Sequence, residues 1–158
     1  MLGCASSNEA AAAVLNPSDL RDVVGHVQEA TVEDVDNAIQ CAINAGPIWQ
    51  ATPPAERAAI LERAADLMEG EIQPLMGLLA REAGKTFANA IAEVREAVDF
   101  LRYYAVQARN DFTNDAHRPL GPVVCISPWN FPLAIFSGQV AAALAAGNPV
   151  LALSLIHI

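Results

Sequence analysis

The chain has 158 residues, 53% apolar and 17% charged, enough apolar material for one domain with a core and too much for a disordered polymer. Its formal charge of −9 and pI near 4.6 set it against phosphate backbones and anionic lipid surfaces, so nucleic acid and membranes are excluded as partners. Cys4, Cys41 and Cys125 are odd in number and far apart, and they form no metal-ligand spacing with His26, His117 or His157; a reduced, cytoplasmic setting without a metal is expected.

Residues 1–15 are rich in alanine, serine and asparagine and are expected to be a disordered start. Asn16-Pro17-Ser18-Asp19 is turn chemistry, since proline presets φ and the short polar side chains bond locally. Val23, Val24 and Val27 then predict a short strand. Thr31 opens a helix through the capping box Thr31-Val32-Glu33-Asp34, with Val32, Val35, Ile39, Ala42 and Ile43 at helical spacing. Gly46-Pro47 is expected to end or kink that helix.

Thr52-Pro53-Pro54 starts a second helix, because a proline in the first turn lacks only an N–H that has no partner there anyway. Its stripe is Leu61, Ala64, Ala65 and Met68, and Gly70 is its stop. Ile72, Leu75, Met76 and Leu79 mark a third helix closing at Gly84. In the fourth, Phe87, Ile91, Val94, Val98, Leu101, Ala105 and Ala108 alternate steps of four and three, with Glu93, Arg95, Glu96 and Arg102 on other faces.

The pattern changes after Gly121. "PVVCI" is a β-branched run without polar alternation, as expected of a strand covered on both faces. "SPWNFP" follows, then an alanine-rich helix over 133–146, a Gly147-Asn148 break and a second apolar strand from Pro149. Strand, loop, helix, turn, strand is a βαβ unit with parallel strands. Ligands of such sheets bind at the carboxyl ends of the strands, where "SPWNFP" lies. Pro128 and Pro132 restrict Ser127 and Phe131 to extended conformations, so the turn is stiff. Asn130 carries two N–H donors and no titratable proton, which suits it to an oxyanion. On the residues alone, capping the next helix is the simpler reading of the same side chain. There is no GxGxxG after the strand.

The segment "GPVVCISPWNFPLAIFSGQVAAALAAGNPVLA" resembles the NAD(P)-dependent aldehyde dehydrogenase superfamily. "NPSDLRDVVGHVQEATVEDVDNAI" and "PPAERAAILERAADLM" are similar to the same family's N-terminal region, so that the resemblance runs from about Leu15 to Ala152. "EAGKTFANAIAEVREAVDFLRYYA" most resembles the glutamate-semialdehyde (pyrroline-5-carboxylate) dehydrogenase part of bifunctional proline utilisation proteins. The implied fold is α/β: the helix-rich N-terminal part of a Rossmann-like aldehyde dehydrogenase fold with an incomplete parallel sheet. In the family a cysteine thiolate attacks an aldehyde, hydride passes to NAD, and glutamate-activated water releases the acid.

The resemblance assigns Asn130 to the oxyanion, Ile126, Ser127, Pro128 and Trp129 to the cofactor (NAD, with NADP possible), and Phe131 to the substrate path. It implies a small aldehyde as substrate, with glutamate γ-semialdehyde first among the choices, and a homo-oligomeric parent enzyme. Where the family has a lysine after "NPVLA", this chain has Leu153. Cys125, inside the strand, is not the nucleophile. The expectation is of an N-terminal portion of the cofactor-binding domain over 16–158, with a non-native tail at 153–158, and of a fragment inactive alone. Two alternatives stand beside it: a dehydrogenase for another semialdehyde, and a non-catalytic helical interaction module.

Overall fold

A computed structural model describes residues 11–155. The element order is β1 (Ala12–Asn16), β2 (Asp19–Val27), α1 (Val32–Ala51), α2 (Pro54–Gly70), α3 (Ile72–Ala83), α4 (Phe87–Asp111), β3 (Val123–Pro128), α5 (Ala134–Ala145) and β4 (Val150–Leu155). β1 and β2 form an antiparallel hairpin, and β3 and β4 a parallel pair joined through α5. The architecture is the expected α/β one with an incomplete parallel sheet.

The frayed start needs correcting over residues 12–15. Those residues pair with β2, Ala12 opposite Val27 and Val14 opposite Gly25. Ala12 and Ala13 carry little strand signal of their own; Val14 and Leu15 and the valine-rich partner strand supply the pairing. The first ten residues of that expectation lie outside the described residues. Arg81 of α3 fixes the hairpin by a two-pronged ion pair to Asp22, whose other partner is Asn16.

α1 begins as expected. Thr31 accepts from the Asp34 amide at 3.2 Å while Asp34 accepts from the Thr31 amide at 2.9 Å. It does not end at Gly46-Pro47 but runs through Pro47 to Ala51. The tertiary anchor is Trp49, whose Nε1 donates to the Leu144 carbonyl of α5 at 3.0 Å, and the Thr52 amide closes the end on Ile48 and Trp49. That contact and the capped end outweigh the one hydrogen bond proline removes.

The core lies among α2, α4 and α5. Ala58, Leu61 and Ala65 meet Val98, Leu101, Ala105 and Ala108, with Ala141 and Ala145 completing the cluster. So many alanines bring the helices close. A Cβ on Gly138 of α5 would stand 2.8 Å from the Phe100 ring of α4. A second cluster, Leu79, Ala90 and Val94, packs with Leu75 of α3 and with Leu133, the residue that enters α5. The α4 stripe is turned relative to the sequence pattern: Phe87 and Ile91 are exposed, while Ala90, Glu93 and Ala97 are buried.

β3 is covered on one face only. Cys125 and Ser127 point inward, whereas Val124 and Ile126 are 54% and 51% exposed. The expectation of cover on both faces is therefore corrected: α5 packs on one side, and the open side faces the edge of a groove beneath α1. No described helix is long and apolar enough to cross a membrane.

Candidate active site

The βαβ unit is pinned where the chain enters and leaves it. Buried Asn148 accepts from the amides of Leu120 and Gly121 at 2.7 and 3.2 Å and donates to the Ala143 carbonyl at 3.3 Å. Gly147, at φ 89°, makes the backward turn out of α5, a conformation only glycine adopts at little cost. The start of β3 is thereby tied to the start of β4, and Val123 pairs with Val150 through to Pro128 with Leu155. This fixed register sets where the carboxyl end of β3 presents its turn.

At that end, Ser127 is buried and its Oγ donates to the Leu153 carbonyl at 3.3 Å across the strand pair. Ile126 lies on the open face, with Leu153 as its cross-strand neighbour. Trp129 and Asn130 form the turn proper, and Phe131 to Leu133 lead into α5. Trp129 is 54% exposed and Phe131 39%. Beside them a cleft of about 640 Å³ is lined by Trp129, Pro132, Phe136 and Ser154 together with the β1–β2 hairpin and the end of α3. An apolar groove of about 610 Å³ between α1 and the strands contains no residue of the turn. The turn at the carboxyl end of β3, with this cleft beside it, carries the exposed amide of Asn130.

The two readings of Asn130 separate here. A capping asparagine would spend its side chain on the first amides of α5. Those amides are taken by another residue: Glu93 Oε1 accepts from Leu133 at 2.9 Å and from Ala134 at 3.3 Å. Asn130 is exposed and engages no hydrogen-bond partner among the described residues. Its donors are left available.

Glu93 is what sequence reasoning missed. Expected on a solvent face of α4, it is 2% exposed. Its second oxygen meets the Lys85 ammonium at 2.5 Å, and the same ammonium stands 4.0 Å above the Phe131 ring centre. Lys85 is carried there by Gly84, whose φ of 64° ends α3 in a left-handed cap, with the Lys85 amide donating to the Leu79 carbonyl. A signal existed in the sequence, since Glu93 adjoins Val94 of the apolar stripe and sits one turn from Ala90 and Ala97. The fault was the phase chosen for the stripe.

Cys125 is buried, and burial pushes its thiol pKa up. A nucleophile needs the opposite shift, so the inward cysteine is a packing residue.

Ile126 and Trp129 give exposed apolar surface at the carboxyl end of a parallel strand, with Ser127 and Pro128 fixing the backbone between them. These suit one edge of a nicotinamide cofactor site. Leu153 offers no donor to a ribose, so that edge is partial.

Residues 4–153 match the aldehyde dehydrogenase family. The bifunctional protein PutA of Escherichia coli is 71% identical over 139 residues, which cover 88% of this chain and 10% of that protein. The 1-pyrroline-5-carboxylate dehydrogenase 2 of Bacillus subtilis is 39% identical over 154 residues, covering 90% of this chain and 30% of the relative. Among solved structures, proline utilization A from Bdellovibrio bacteriovorus superposes with a TM-score of 0.85 at 34% identity, over 92% of this chain and 16% of the other. The chain thus spans about a tenth of the PutA proteins it matches.

Proposed function

This chain belongs to the aldehyde dehydrogenase family, and from that premise we propose that it is the segment of an NAD(P)-dependent dehydrogenase that supplies the oxyanion-binding amide and one edge of the cofactor site. The substrate in this reading is glutamate γ-semialdehyde, oxidised to the carboxylate in proline catabolism. The observation that carries it is the state of Asn130: exposed at the carboxyl end of β3, with the α5 amides already satisfied by Glu93.

Attack on an aldehyde carbon converts its carbonyl oxygen to an oxyanion. An amide N–H already aimed at that oxygen stabilises it without reorganisation, typically by about 2.7–4 kcal/mol per donor. Asn130 supplies that donor, and its neutrality leaves no proton to be lost. Pro128 and Pro132 hold the turn on either side. Phe131 gives the aldehyde's path an apolar wall, and the backbone around Ile126, Ser127, Pro128 and Trp129 lines the cofactor. When bound, a nicotinamide cofactor supplies the hydride acceptor. No residue of this chain is assigned the nucleophile, and the 158-residue chain by itself is expected not to turn over.

Preference for glutamate γ-semialdehyde over another semialdehyde rests on the much higher identity to the bifunctional proline proteins than to other relatives. A cytoplasmic location and a homo-oligomeric parent belong to the same reading. The test is a transplant. Residues of this chain replace the matching 139-residue segment of the Escherichia coli protein, and the purified chimera is assayed for NAD reduction with glutamate γ-semialdehyde. Turnover close to the parent's is expected. A folded, cofactor-binding chimera without turnover contradicts the proposal.

A further inference from the structure

Lys85 is the only lysine in the chain, and it is largely buried. Its side chain is 12% exposed, its ammonium faces the Glu93 carboxylate, and its other side covers the Phe131 ring. Removing both charges from water is expensive, and an ion pair alone seldom recovers the loss. What the pair touches explains its place. Glu93 Oε1 receives the two amides that open α5, immediately after the turn, and Lys85 rests on the aromatic residue that follows Asn130.

The pair comes from the loop after α3 and from the buried face of α4, about forty residues before the turn in sequence. It therefore supplies from outside what the turn cannot supply itself. α5 has no side-chain cap of its own, since its first flanking residue is Leu133. An anionic oxygen at a helix N-terminus satisfies two orphan donors and opposes the positive end of the helix dipole. A cation over an aromatic face fixes the ring by the ring's quadrupole. Prolines on either side complete the constraint.

We propose that Lys85 and Glu93 are positioning residues for the turn at 129–133: Glu93 fixes its exit by holding the first amides of α5, and Lys85 fixes Phe131, so that the Asn130 amide is presented at one place. The role assigned to that amide rests on the function proposed above; the clamp itself is a statement about the turn and is measured without catalysis.

One lysine gives a direct probe. Selective ¹³C-lysine labelling of the 158-residue chain yields a single ε-CH₂ resonance. It is expected upfield of an unstructured lysine, shielded by the Phe131 ring, and Phe131→Leu, at a partly exposed position, returns it to the unstructured value. Hydrogen exchange read by mass spectrometry on peptides covering residues 129–135 is expected to be about fivefold faster in Glu93→Leu, which removes the acceptor, the equivalent of one lost helix N-cap. Peptides of α2 keep their protection. Lys85→Arg, which retains a cation able to reach both groups, restores the slow exchange that Lys85→Met loses.

An unshifted lysine resonance, or exchange at 129–135 unchanged by Glu93→Leu, overturns the proposal. Should Glu93→Leu unfold, the lysine resonance and the Phe131→Leu chain still decide it. If the clamp holds in these measurements while the chimera described above is inactive, the proposed function fails and the clamp stands.

Discussion

Replacing Arg57 by methionine tests whether a buried cation held by carbonyl groups is a net stabiliser of this fold. Arg57 is 3% exposed. Its Nε donates to the Ala145 carbonyl at 3.1 Å, and its Nη1 donates to the Thr52 carbonyl and, at 3.3 Å, to Asn114 Oδ1. The guanidinium thereby joins the C-terminal ends of α1 and α5, where carbonyls lack helical partners and the helix dipoles are negative. Gly147 lies beside it, and a Cβ there would be in ordinary contact, 3.5 Å from Cζ.

Two effects oppose. Burial lowers the Arg57 pKa, which means that desolvation works against the charged form, although arginine stays protonated in proteins. Methionine removes that penalty and keeps most of the apolar stem. It also abandons the carbonyls. Thr52 O retains the Asn114 amide at 3.3 Å, and Asn114 Oδ1 is only part-buried, so Ala145 O is the buried group left without a partner. An orphaned buried acceptor costs about 1–3 kcal/mol and each lost bond to a charged donor about 1.5 kcal/mol or more. With relief of desolvation set against these, a net loss of about 2–4 kcal/mol is expected. Urea unfolding followed by circular dichroism reads it as a midpoint lower by about 1–2 M at unchanged slope. Arg57→Lys, whose single head cannot span both helix ends, falls between. A methionine variant as stable as the parent refutes the reasoning and makes desolvation the larger effect.

Further outcomes follow from other contacts. Asp22 has its pKa lowered to about 2, first by Arg81 and then by Asn16. Because the folded value lies below the unfolded one, the stabilisation is complete above about pH 4 and is lost as pH falls toward about 2; hydrogen exchange of the hairpin should accelerate across that window, and Arg81→Ala should flatten the dependence. Gly138→Ala drives a methyl into the Phe100 ring, 2.8 Å away, and should destabilise by about 1–3 kcal/mol in urea unfolding; Phe100→Leu in the same chain should recover much of it, and additive effects would argue against the contact. Cys125, buried and with its thiol pKa raised, should alkylate with iodoacetamide far more slowly at neutral pH than partly exposed Cys41, as read by peptide mapping; equal rates would contradict the inward placement.

Local chemistry made much of this fold legible. The capping box at Thr31, the proline at the first position of α2 and the left-handed Gly84 are decided within a few residues, and each stands where the sequence puts it. The βαβ unit was legible because an unbroken β-branched run, an alanine-rich helix and a glycine break leave few other arrangements. What failed depended on partners distant in sequence. α1 passes Pro47 because Trp49 finds a carbonyl of α5, 95 residues away. β1 takes in Ala12 and Ala13 because β2 offers them an edge. The open face of β3 reflects what packs there, which no pattern within the strand encodes. Glu93 was hidden for the same reason: a glutamate beside a helical stripe reads as solvated until its partners, Lys85 and the start of α5, are in view. At the site itself, the stiff turn was legible, whereas its freedom from capping duty was not.

The central claim is that the amide of Asn130 stabilises an oxyanion, and one substitution tests it most directly. In the transplanted enzyme, Asn130→Ala should leave cofactor affinity unchanged, judged by binding titration, and should leave unfolding by urea close to the parent's, since the side chain is exposed and holds no internal partner. Its kcat for glutamate γ-semialdehyde should fall by about 10²–10³, the usual effect of one lost oxyanion donor. An Asn130→Ala enzyme that turns over at the parent's rate would contradict the account at its centre.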